Sequence, residues 1–107
     1  MISSDTYVEA IKISDLPIGA GQVVQLENES IAIFKCSNGE IYAIENKSPH
    51  PKGGTIAEGL VSGEYVFCPL YNWKVSLQSG EVQAPDHGKV RTFPTKVLDG
   101  IVYLVKG

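Results

Sequence analysis

The segment Asn46-Lys47-Ser48-Pro49-His50, taken with Cys68-Pro69-Leu70-Tyr71 after seventeen intervening residues, decides how this 107-residue chain is read. Outward from it the sequence consists of short apolar, β-branched and aromatic runs broken by turn residues, at 7–13, 22–26, 31–36, 41–45, 64–68, 74–77, 81–83, 90–94, 95–98 and 101–105. No window carries a helical stripe of useful length, so the expected class is all-β. Asn38-Gly39, Ser79-Gly80 and Asp99-Gly100 are hairpin signals, because glycine tolerates the positive φ that tight turns demand. Residues 46–63 interrupt the regular spacing with two prolines and four glycines and are expected to form a long loop without a strand. Pro69 cannot donate to a ladder and so ends the strand before it. The two quoted motifs therefore fall on loops at similar positions relative to flanking hairpins.

Those loops have the spacing of a Rieske centre. There, C-x-H and C-x-x-H motifs hold a [2Fe–2S] cluster, two cysteines on one iron and two histidines on the other. In this chain one iron would face Ser48 and Cys68, and the other His50 and Tyr71. Serine and tyrosine are hard oxygen donors, and a phenol titrates near about 10 where a thiol titrates near about 8.5. Iron–sulfur chemistry disfavours both replacements. Cys36, the other thiol, shares a strand face with Ala32 and Phe34 and reads as a small buried hydrophobe.

Bulk properties narrow the function. At this length the chain forms one domain with a real core and needs no disulfide. A net charge of −3 gives no electrostatic reason to bind nucleic acid. No apolar stretch is long enough to cross a bilayer and no cationic, apolar leader is present, so a cytoplasmic location is expected, in line with two unpaired thiols. Phosphate-loop and dinucleotide fingerprints are absent, and His87 lies in the polar turn Pro85-Asp86-His87-Gly88. No catalytic centre is visible in the isolated chain.

With these residues in view, the chain resembles the Rieske-like ferredoxin superfamily and, within it, the small-subunit family of assimilatory NAD(P)H nitrite reductases. The resemblance spans nearly the whole sequence. It is carried by Ala43-Ile44-Glu45-Asn46-Lys47-Ser48-Pro49-His50, Gly53-Gly54, Ala57-Glu58-Gly59 and Cys68-Pro69-Leu70-Tyr71-Asn72-Trp73 followed by Ser79-Gly80, with Asp86 and Thr92-Phe93-Pro94 extending it. It implies a Rieske-like β-sandwich of the iron–sulfur-protein type, with a base at roughly residues 1–45 and 74–107 and a small, degenerate cluster-binding subdomain at roughly 46–73. It further implies a non-redox subunit that assists a large subunit holding FAD, a [4Fe–4S] cluster and sirohaem, which reduces nitrite to ammonium in nitrate assimilation.

No cofactor and no metal are expected in this chain itself, His50 and Cys68 being the residual candidates as ligands. The expected docking residues are Pro49, His50, Lys52, Leu70, Tyr71 and Asn72. Tyr71 has two readings, a plug filling the space of an absent cluster or an interface anchor, and Trp73 is expected in the core. Two rival functions remain: an electron-transfer ferredoxin with a remodelled or labile cluster, and a binding module of another oxidoreductase.

Overall fold

The structure is a computed structural model that describes residues 6–26, 29–48, 54–69 and 72–106. Among the described residues ten strands run in the order β1 (Thr6–Lys12), β2 (Gln22–Leu26), β3 (Glu29–Lys35), β4 (Ile41–Glu45), β5 (Leu60–Ser62), β6 (Tyr65–Phe67), β7 (Lys74–Ser76), β8 (Thr92–Phe93), β9 (Thr95–Leu98) and β10 (Ile101–Lys106). They form three antiparallel sheets, a terminal one ordered β1-β10-β9, a central one ordered β2-β3-β4-β8, and a small one ordered β5-β6-β7. The only helix among the described residues is a single 3₁₀ turn at Ile13–Asp15.

The central sheet organises the rest, because β3 is apolar on both faces. Ile31, Ala32, Ile33 and Phe34 are all fully buried, and side chains alternate across a strand. Ile31 and Ile33 join Leu16, Ala43, Val102 and Leu104 in a core against the terminal sheet. Ala32 and Phe34 join Ile44, Ile56, Val66, Val75 and Leu77 in a second core against the small sheet. Cys36 belongs to this second core, as its strand face implied. The chain crosses from the central to the terminal sheet at Pro94, where β8 pairs with β4 and β9 pairs with β10. The Thr95 hydroxyl donates to the Ile41 carbonyl at 3.1 Å and pins that crossing.

Turn chemistry sets the registers. Leu98 pairs with Ile101, leaving Asp99 and Gly100 as a two-residue loop with φ of 52° and 78°, the left-handed pair that matches the twist of an antiparallel hairpin. Most expected strands are present within a residue or two, and three sequence expectations are corrected. The 46–63 stretch contains β5, three residues whose single inward side chain, Val61, gives no alternation to recognise. Residues 81–83 contribute isolated bridges, Val75 with Val82 and Glu81 with Lys89, in place of a strand. The 90–94 run shortens to Thr92–Phe93 because Val90 donates its amide to the Gly80 carbonyl, away from the central ladder.

A substitution that empties the second core should be far more costly than one at the edge. Phe34→Ala is expected to lower unfolding free energy by about 3–5 kcal/mol, whereas Val23→Ala, on edge strand β2 and 48% exposed, should change it by less than about 0.5 kcal/mol. Urea denaturation of the two variants measures the contrast.

Candidate functional site

The two motif loops leave adjacent elements of the second core. The first follows β4 and the second follows β6 directly. Each is closed at its base by the backbone. The Ser48 amide donates to the Gly54 carbonyl at 2.9 Å, while Cys68 donates to Trp73 at 2.9 Å and accepts from Asn72 at 3.0 Å. Asn72 takes a positive φ of 55° to close the second loop, a conformation that asparagine tolerates better than most residues.

Asn46 ties the first loop to its surroundings. Its side-chain carbonyl accepts from the amides of Ile56 and Ala57 at 3.0 and 2.9 Å, and its amide group donates to the Ser30 hydroxyl at 3.2 Å. Sequence reading passed over this role. The available signal was an asparagine immediately after a strand, a residue type that bonds readily to nearby backbone.

Ser48 and Cys68 meet at the centre. They are 3% and 2% exposed, and Ser48 is the one buried polar side chain among the described residues. The Ser48 hydroxyl lies beside the Cys68 sulfur and favours its ionised form, so residues twenty apart in sequence are brought together. Cys68 otherwise sits in the apolar cluster with Ile56, Val66 and Val75, and Trp73 packs half-buried against the same cluster. Burial raises the Cys68 thiol above the ordinary value of 9.0, and the bond from Ser48 and a backbone group pull it partly back. Burial likewise raises Cys36, with Glu64 and Glu40 adding to the effect. Both sulfurs are therefore protonated thiols at neutral pH.

Of the positions singled out in the sequence, Ser48, Cys68 and Asn72 are thus placed, with Asn72 exposed. Pro49, His50, Lys52, Leu70 and Tyr71 lie outside the described residues, and the choice between plug and anchor for Tyr71 lies there with them. Among the described residues no three His, Cys, Asp or Glu side chains gather as a metal set. A Rieske iron on the cysteine side takes two thiolates. Ser48 and Cys68 offer one hydroxyl and one thiol, a donor set that does not match two thiolates.

Comparison with known proteins places the fold. Residues 6–105 match the family model for the Rieske-like [2Fe-2S] domain, and the chain belongs to that family. The chain is 29% identical to the nitrite reductase (NADH) small subunit of Escherichia coli over 103 residues, covering 92% of this chain and 95% of that one. It is 30% identical to the 3-phenylpropionate/cinnamic acid dioxygenase ferredoxin subunit of Photorhabdus laumondii over 94 residues, covering 86% and 87%. A match of 27% identity over 96 residues to the cholesterol 7-desaturase of Xenopus laevis covers 83% of this chain but spans only 21% of that protein's length.

Solved structures agree with the all-β Rieske architecture. An NADH-dependent nitrite reductase small subunit from Mycobacterium tuberculosis superposes with a TM-score of 0.87 at 20% identity, covering 98% of each chain. The E. coli protein NirD superposes with a TM-score of 0.84 at 27% identity, covering 96% of this chain and 98% of that one. The relatives that match over most of their length are thus small subunits of oxidoreductases.

Two outcomes test the site geometry. Asn46→Ala leaves two loop amides without their acceptor and should cost about 2–3 kcal/mol, while Asn46→Asp keeps an acceptor and should retain most of that stability in the same thermal or urea melt. Native protein at pH 7.5 should resist iodoacetamide at both thiols, with labelling accelerating only above about pH 9, because the thiolate is the nucleophile. Mass spectrometry before and after unfolding reads this directly.

Proposed function

We propose that this chain is the small, cluster-free subunit of a cytoplasmic NAD(P)H-dependent nitrite reductase, contributing binding surface and conformational support to a catalytic large subunit. The observation that carries the reading is the Ser48–Cys68 pair, in which a buried hydroxyl takes the place of a thiolate inside an otherwise retained Rieske frame. Tyr71 at the second histidine position adds a loss on the other iron. The reading is supported by near-complete two-way coverage of a nitrite reductase small subunit. The large subunit would hold FAD, a [4Fe–4S] cluster and sirohaem and reduce nitrite to ammonium in nitrate assimilation.

In this role the chain transfers no electron, and Pro49, His50, Lys52, Leu70, Tyr71 and Asn72 contact the partner. A second reading, a Rieske-type electron carrier that retains His50 and Cys68 as ligands, draws on the comparable identity to a dioxygenase ferredoxin subunit. A binding module of another oxidoreductase follows from the same similarity.

Anaerobically purified protein is expected to contain far less than stoichiometric iron and sulfide and to have a featureless visible spectrum; a stoichiometric [2Fe–2S] spectrum favours the electron carrier. Affinity purification from nitrate-grown cells should bring down a sirohaem protein, and an oxygenase in its place favours the third reading. Tyr71→Ala and Leu70→Ala should each weaken assembly by about 2 kcal/mol or more, as measured by titration calorimetry.

A further inference from the structure

Strand β10 meets the same demand as β3 and answers half of it. Ile101-Val102-Tyr103-Leu104-Val105 is apolar or aromatic at every position, so both faces of the strand are apolar. Val102 and Leu104 are fully buried in the core against the central sheet. Ile101, Tyr103 and Val105 leave the strand on the other side and stay partly open to solvent. An antiparallel sheet with one face on a core commonly carries polar residues on the other. This one does not.

Strands β1 and β9 flank β10 and extend its outer face, because residues directly opposite in an antiparallel ladder share a face. Tyr7 lies opposite Val105 and Leu98 opposite Ile101, and Tyr7 and Leu98 are each 48% exposed. Between these apolar pairs runs a row of another kind, Glu9 opposite Tyr103 and Tyr103 opposite Lys96. It sets an acid, an aromatic ring and a base across the three strands, with the ring in the middle. Glu9 and Lys96 are exposed, and neither is in an ion pair among the described residues.

Such a row is complementary to itself, which is what a two-fold interface requires. Turning a second copy by half a revolution about an axis parallel to β10 lays Tyr103 on Tyr103 and sets Glu9 of each copy against Lys96 of the other. An axis across the strands would set like charges together. We propose that the outer face of the terminal sheet is a self-association surface, on which two copies of this chain pack β10 against β10 about the first axis. The charges fix the register, and Ile101, Tyr103 and Val105 supply the apolar contact. In the single chain the Lys96 ammonium rests 5.0 Å from the Tyr7 ring centre, an exposed contact weak enough to yield to a carboxylate. Three short strands present less than the roughly 800 Å² per partner of a standard interface, so the dimer is weak and concentration-dependent. It is independent of the small-subunit reading. The small sheet lies across the central sheet from this face, so dimerisation leaves it uncovered.

Sedimentation velocity of the purified full chain from about 10 μM to about 1 mM is expected to show a reversible monomer–dimer equilibrium that weakens with salt. Glu9→Lys and Lys96→Glu, each first checked for an unchanged thermal transition, should each raise the dimer Kd at least tenfold. An equimolar mixture of the two variants should recover the dimer, because every facing pair is then of opposite charge. Val23→Ser, an exposed apolar change on edge strand β2, should dimerise as the parent does. A parent chain that stays monomeric at every concentration overturns the proposal. So does a dimer that both charge variants leave intact, one that their mixture fails to restore, or one that Val23→Ser weakens equally. If the chain stays monomeric and Tyr103→Ser instead weakens its binding to a flavin- and sirohaem-containing large subunit, the second copy is overturned and the face belongs to that subunit.

Discussion

The burial of both faces of β3 is the constraint on which the architecture depends. Four consecutive fully buried residues, Ile31 to Phe34, cannot be covered from one side, since alternate side chains leave a strand in opposite directions. The chain meets that demand with two further sheets. The terminal strands β1, β9 and β10 cover one face, and the small sheet with residues 56–57 covers the other. Placing the small sheet against that second face also sets Ser48 beside Cys68, because β4 and β6 end beside the same core.

The bases of the motif loops are held by protein groups. Backbone bonds close each loop at its base, and Asn46 braces the first against Ile56 and Ala57. A Rieske domain with its cluster has an additional cross-link, the iron and sulfur that join both loops. Here the described half of that position holds a hydroxyl–thiol contact in an apolar setting. A protonated thiol beside a neutral hydroxyl buries no charge.

Seams between the layers are closed by polar groups. Along one, Arg91 pairs with Glu29, lies 5.0 Å over the Phe93 ring and donates its amide to Glu45, tying β8 to the edge of the central sheet. Along another, Tyr42, Glu64 and Gln78 form a polar link between β4 and the turns of the small sheet, with the Tyr42 hydroxyl donating to Glu64 at 3.0 Å.

Much of this was legible from residues alone, for local reasons. β-Branched and apolar runs define β2, β4 and β9, and Asp99-Gly100 encodes its own turn through two positive φ angles. Strand face parity alone placed Cys36 with Ala32 and Phe34. The motif spacing pointed to the Rieske-like family that the match over residues 6–105 shows. What escaped was non-local. β5 exists because Leu60–Ser62 finds β6 across a tight turn, and residues 81–83 fail as a strand because they pair through single isolated bridges, Val82 with Val75 and Glu81 with Lys89. The contact between Ser48 and Cys68 and the bracing role of Asn46 arise only when segments far apart in sequence are packed together. Periodicity and turn chemistry act over a few residues and set the elements, whereas the burial of β3 from both sides decides which elements meet.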